Sequence, residues 1–115
     1  MRHLRKGKKF SRVRKTRKAL MKAVLRSFVE RGRIETTLPK AKEVGRLAEK
    51  LVTKAKKGGL EKRREIMVWL NPVQTAKIFK VAGDFKNRRG GYTRITRTRR
   101  REHDRAEMAV LEFVK

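Results

Sequence analysis

The chain reads as an α+β protein: about four helices packed on one face of a small, three-stranded mixed sheet, with a basic N-terminal arm. Three observations lead there. Apolar residues between Leu20 and Ala82 recur at intervals of three and four, in blocks punctuated by Gly and Pro, which is the helical period. Met108 to Val114 is almost continuously apolar, as a central strand covered on both faces is. Half of the 36 Lys and Arg lie in two acid-free runs, residues 1–18 and 86–101, that flank an ordinary-looking core.

Residues 1–10 read as an extended arm, because Gly7 and crowded cations disfavour regular structure. A first helix is expected from Ser11 or Arg12 to Arg31. Leu20, Val24 and Phe28 form one row on it, Met21, Leu25 and Val29 the next, and together they make a wide apolar stripe. Gly32 ends it. Ile34 to Thr37, rich in β-branched residues, reads as a short strand. Thr37 can then cap a second helix, and Pro39 is tolerated in its first turn. Ala41, Val44, Ala48, Leu51 and Ala55, with Leu47 and Val52, form the inward face of that helix until Gly58-Gly59 stops it. Leu60 to Leu70 is a third helix with Ile66, Trp69 and Leu70 inward. Asn71-Pro72 opens a fourth, with Val73, Ala76, Phe79 and Ala82 as its apolar contacts and Gly83 as its stop. Tyr92 to Thr96 and Met108 to Val114 are strands, with Arg97 to Glu107 a basic loop between them.

The expected organisation is a single domain over residues 1–115: the arm at 1–10, and a globular core over 11–115 with basic loops at 86–91 and 97–107. The formal net charge is +25, charged residues make up 41% and hydrophobic residues 37%. Like charges this dense repel one another on folding, so the composition points to a polyanionic partner. The chain has no cysteine, which excludes disulfides and thiolate metal ligands. No apolar run approaches the ~20 residues of a membrane span, and no signal peptide is expected.

The first run supplies Arg2, Arg5, Lys6, Lys8, Lys9, Arg12, Arg14, Lys15, Arg17 and Lys18, with His3 among them. Cations on flexible stems neutralise phosphates and release condensed counterions. A membrane surface would also attract this charge, but Leu4, Phe10 and Val13 do not make the apolar face that such binding uses. In the second run Arg88, Arg89, Gly90, Gly91, Tyr92, Arg94, Arg97, Arg99 and Arg100 are the candidate contacts. Glycine lets the backbone approach a phosphate, and arginine grips one bidentately. Two positions keep two readings. Tyr92 is a stacking platform for an unpaired base or a core ring at the start of a strand. Gly90-Gly91 is a phosphate approach or a plain turn. Lys42, Arg46, Lys50 and Lys54, spaced four apart, are equally a solvated stripe or an RNA contact.

Catalysis is not expected. His103-Asp104 are neighbours with no third member, and neither His103 nor His3 stands at metal-ligand spacing. Asp104, Glu107 and Glu112 read as internal counter-ions to Arg99, Arg100 and Arg101. No cofactor, metal, small-molecule substrate or homo-oligomer is expected. Cations concentrated on extensions suit an irregular RNA surface better than helices reading a uniform groove would. A nucleoid-type DNA-binding protein is the alternative.

Four stretches in order resemble the bacterial large-subunit ribosomal protein 17 family, over nearly the whole chain. They are Met1-Arg2-His3-Leu4 followed by Gly7; Gly32-Arg33-Ile34 with Thr36-Thr37-Leu38-Pro39-Lys40-Ala41-Lys42-Glu43; Gly90-Gly91-Tyr92-Thr93-Arg94-Ile95; and Ala109-Val110-Leu111-Glu112-Phe113. There are two departures. Thr16-Arg17 stand where the family often has a His-Arg pair, and His103-Asp104-Arg105-Ala106-Glu107 where it tends to have Gly-Asp-x-Ala-Pro. The resemblance implies a structural component of the large subunit in the cytoplasmic ribosome. It would bind 23S-type rRNA near the rim of the polypeptide exit tunnel, beside neighbouring large-subunit proteins.

Overall fold

A computed structural model describes residues 14–114. The expected arm at 1–10, and the expected helix start at Ser11 or Arg12, lie outside these residues. The element order is α1 (Arg14–Arg31), β1 (Arg33–Thr37), α2 (Leu38–Lys57), α3 (Leu60–Met67), α4 (Pro72–Asp84), β2 (Thr93–Arg100) and β3 (Glu107–Phe113).

α2 is the organising element because its buried residues form one continuous face. Leu38, Ala41, Val44, Gly45, Ala48, Leu51, Val52 and Ala55 are all buried. Gly45 faces the sheet. A methyl group there would stand in ordinary contact, 3.4 Å from the Leu111 side chain and 3.6 Å from Thr93 Oγ1, so α2 lies close on β3 and β2 at this point. Thr37 occupies the N-cap in extended backbone, but its side chain makes no capping bond; Pro39, expected in the first turn, is there.

Both strand pairings are antiparallel, in the order β1-β3-β2, with β3 central as expected. The mixed sheet expected from the sequence is thereby corrected. β2 continues past Thr96 to Arg100 and meets β3 through a loop too short for the crossover of a dozen or more residues that a parallel pair needs. The expected basic loop at 97–107 shrinks accordingly to Arg101–Ala106, closed by Arg101 N–H to the Ala106 carbonyl (2.9 Å).

α4 corrects two further expectations. Val73 is 62% exposed and Ala76 is exposed, while Gln74, Thr75, Ile78 and Ala82 are buried. The cap decides this rotation. Asn71 Oδ1 accepts from Gln74 N–H (2.8 Å), Asn71 N–H donates to Gln74 Oε1 (3.4 Å), and Thr75 Oγ1 donates to the Asn71 carbonyl (2.8 Å). With Gln74 and Thr75 satisfied, their burial costs little and the face turns towards Ile78. The helix also runs through Gly83 to Asp84, because Phe85 beyond it is buried and anchors the last turn.

α3 is shorter than expected, giving way to a turn at Val68 and Trp69. Ile66 and Leu70 are buried and Trp69 is half-buried. Arg26 Nε donates to the Trp69 carbonyl (3.0 Å), which ties this turn to α1. At the sheet's other end four rings converge. Phe28 stacks on Phe113 at 4.4 Å, and Phe85 meets Tyr92 at 5.2 Å and Phe113 at 6.5 Å. Such contacts add about 0.5–1.5 kcal/mol each beyond burial.

Candidate nucleic-acid interface

The second basic run is held at its base by the aromatic cluster. Phe85 and Tyr92 flank the loop 86–91, and their ring contact closes it. Tyr92 is 2% exposed. Of its two sequence readings the structure selects the core ring, so Tyr92 offers no stacking face and its place among the direct contacts is corrected. Its hydroxyl donates to the Arg88 carbonyl (3.2 Å) and accepts from Lys56 Nζ (3.0 Å). Lys56 also donates to the Arg88 carbonyl, and its ammonium lies 5.0 Å from the Tyr92 ring centroid.

Arg88 is turned back on its own loop. Its Nε donates to the carbonyls of Gly90 and Gly91, both at 3.1 Å. Gly91 has φ +62°, a conformation side chains rarely adopt, so the second glycine serves the turn itself. Thr93 then enters β2 with its N–H and Oγ1 both donating to Glu49 Oε1 at 3.3 Å. The motif Arg88-Arg89-Gly90-Gly91-Tyr92 thus divides. Arg88 and Tyr92 brace the loop, while the exposed Arg89 forms no ion pair within the described residues.

Along β2 the arginines project from an exposed edge strand. Arg94 stands opposite Glu112 in the register and bonds its Oε1 through Nε (3.1 Å) and Nη2 (2.7 Å). Arg33 approaches the other oxygen of Glu112 at 3.6 Å. Arg100 pairs with Glu107 (3.1 Å) and Arg101 with Asp104 (2.7 Å). The three acids are internal counter-ions, as the sequence suggested, except that Glu112 serves Arg94 and Arg33 rather than Arg99 to Arg101. Arg97 and Arg99 are exposed and pair with no carboxylate among the described residues.

At the hairpin tip, the Arg101 guanidinium holds the Asp104 carboxyl well below the usual carboxylate range, helped by Ala106 N–H. Its hydrogen bond to Asp104 correspondingly raises the Arg101 pKa. Arg105 takes φ +57° to complete this turn. Glu65 is held below its ordinary value chiefly by its hydrogen bond to Lys54, then by Lys62.

Of the first run, Arg2, His3, Arg5, Lys6, Lys8, Lys9 and Arg12 lie outside the described residues. Arg14, Lys15 and Lys18 are exposed on the first turns of α1, and Arg17 is partly exposed. Lys18 Nζ sits 5.6 Å from the Trp69 ring centroid, with Lys22 at 5.9 Å, so Lys18 also packs on the α3–α4 turn. α1 packs beside β1, whereas β2 is the opposite edge of the sheet. Two strand spacings, about 10 Å, separate those edges. Among the described residues no helix is long and apolar enough to cross a membrane.

A basic α+β body with cations on a braced loop and an edge strand offers a surface suited to a polyanion, and comparison with known proteins gives the family. The family model of Ribosomal protein L17 matches residues 20–114. A large ribosomal subunit protein bL17 from Dictyoglomus thermophilum is 47% identical over 116 residues, covering 99% of this chain and all of the relative. The bL17 proteins of Nautilia profundicola and Campylobacter lari are 44% and 41% identical, each covering 99% of this chain and 98% and 99% of their own length. The chain belongs to the ribosomal protein L17 family. It is a structural constituent of the large ribosomal subunit, and not an enzyme.

Proposed function

We propose that the chain acts as a single rRNA-binding domain that braces large-subunit rRNA near the polypeptide exit tunnel. The cations of residues 1–18 grip one segment and those of 88–100 a second. Neighbouring large-subunit proteins are secondary partners. The observation that carries this reading is the partition of charge: the body pairs many of its acids internally, while Arg89, Arg97 and Arg99 project from a braced loop and an edge strand with no carboxylate partner among the described residues. Such cations gain little from folding and much from a phosphate backbone. The address near the exit tunnel rests on the family resemblance.

Competition at physiological salt between large-subunit rRNA and duplex DNA tests this reading. Preference for the rRNA is expected, with log K falling against log salt at a slope near −7 if about 8 phosphates are neutralised. Equal affinity for the two would favour the nucleoid-type alternative.

A further inference from the structure

Folding assembles a basic groove that neither acid-free run contains. The 86–91 loop lies beside α2, and between them is a groove of about 520 Å³. Arg46, Lys50, Lys54 and Lys57 line it from α2, Lys62 from α3, and Arg89 with Gly90 from the loop. The α2 cations recur every three or four residues, so they form a ladder on one face, about 16 Å long at 1.5 Å per residue.

The acids near this groove are already engaged. Glu49, which also lines it, receives both Thr93 donors. Glu65 is shared by Lys54 (3.3 Å) and Lys62 (3.6 Å), and Arg46 reaches Glu43 at 3.2 Å. Lys50, Lys57 and Arg89 pair with no carboxylate among the described residues, and all three are exposed. Like charges converging from three elements repel, and an isolated helix loses stability for each such pair at four-residue spacing. A string of phosphates along the ladder would reverse that sign. The facing wall is rigid, because Lys56, Tyr92 and the folded-back Arg88 fix the loop.

We propose that this groove is a third RNA site, taking a run of consecutive backbone phosphates between α2 and Arg89. The site rests on the rRNA-binding reading above and extends it to residues outside both basic runs. Recognition is of the phosphodiester chain rather than of bases, since the groove offers cations and the aromatic in its lining, Tyr92, is buried. Of the four-residue stripe read from the sequence, Arg46, Lys50 and Lys54 belong to the groove and Lys42 does not line it.

The test uses the full chain in two double variants of equal charge, both sparing the cations assigned to the two basic runs. Lys50→Gln/Lys57→Gln strips the α2 wall of its unpaired cations. Arg64→Gln/Lys80→Gln removes two exposed cations elsewhere. If the α2 wall holds two phosphates, its double variant should bind large-subunit rRNA about twentyfold more weakly at 0.15 M salt and flatten the salt slope by about 1.4–1.8. The control double should change affinity less than threefold. Equal losses in the two doubles would overturn the groove while leaving the rRNA reading intact. If the wild-type chain showed no preference for rRNA, that reading itself would fail. A photocrosslinker at Lys57 in the assembled subunit supplies an arm independent of folding. It should capture rRNA; capture of protein alone would contradict the proposal.

Discussion

α2 and β2 are both rich in cations, yet they are held in place by opposite means. α2 buries eight residues along one face and turns its cations outward from a helix that the core requires. β2 buries none of its eight residues and keeps only Thr93 half-covered. It is held by the ladder to β3, by the Arg94–Glu112 and Arg100–Glu107 pairs, and by Glu49 gripping its first residue. The lesson is that charge and stability are separable on β2 and adjoin one another on α2. Substituting Arg97 or Arg99, the arginines of β2 that pair with no carboxylate among the described residues, should change what the protein binds. Substituting the inward face of α2, or what it rests on, should change whether the protein folds.

The largest effect should come from β3, the strand on which α2 rests and to which β2 is paired. Leu111 is fully buried there, its side chain beside Gly45 of α2. Leu111→Ala should cost about 2–5 kcal/mol, read by denaturant unfolding, because the close approach of α2 leaves the cavity little room to collapse. A cost within 0.5 kcal/mol would mean that α2 does not rest on β3 as described. Next in size is Tyr92→Phe, which removes a hydroxyl that both donates and accepts. Stability should fall by about 1 kcal/mol while the ring remains in the core. The salt slope of rRNA binding should stay unchanged, since the number of phosphates neutralised is the same. An altered slope with unchanged stability would restore Tyr92 as a direct contact.

The smallest effect concerns pH at the hairpin tip. The folded-state pKa of Asp104 is depressed by Arg101, so its contribution is fully present above the unfolded carboxylate pKa. As pH falls below about 4, the unfolded chain takes up a proton first and that contribution declines. Protection of the Ala106 amide, the intrinsic exchange rate divided by the observed one, should stay constant from neutrality down to that range and then fall, because this amide donates to Asp104. A fall in protection near pH 6 would point to another group. Asp104→Asn should remove the acid-side change.

The helices and the central strand were legible because their signals are local. The apolar rows of α1 and α2, the Asn71-Pro72 cap and the apolar run at Met108 to Val114 each report their own structure. β2 beyond Thr96 was not legible. Thr-Arg-Thr-Arg-Arg has no apolar alternation, and it is a strand only because β3 supplies a ladder and an exposed edge tolerates arginine. The face of α4 was misjudged because Gln74 and Thr75 are buried through bonds to Asn71, which no hydrophobic count can weigh. At the candidate interface, two residues of the glycine motif proved to be braces, and only folding reveals that Arg88 turns back on its loop. Lys57 and Lys62 were missed altogether, since nothing in their local sequence says that Arg89 will face them. A glycine at position 45, inside an otherwise regular helix, was the one available hint of a close approach.

The separability of binding from folding on β2 is the central claim, and Arg97→Gln/Arg99→Gln tests it most directly. Both side chains are exposed and unpaired among the described residues. Thermal midpoint and rRNA affinity should be measured on the same variant across a salt series. The expected result is a midpoint within experimental scatter of the parent, with weaker binding and a salt slope flatter by about 0.7–0.9 for each phosphate no longer neutralised. A midpoint that falls while the slope holds would contradict the account, because β2 would then serve the fold rather than the RNA.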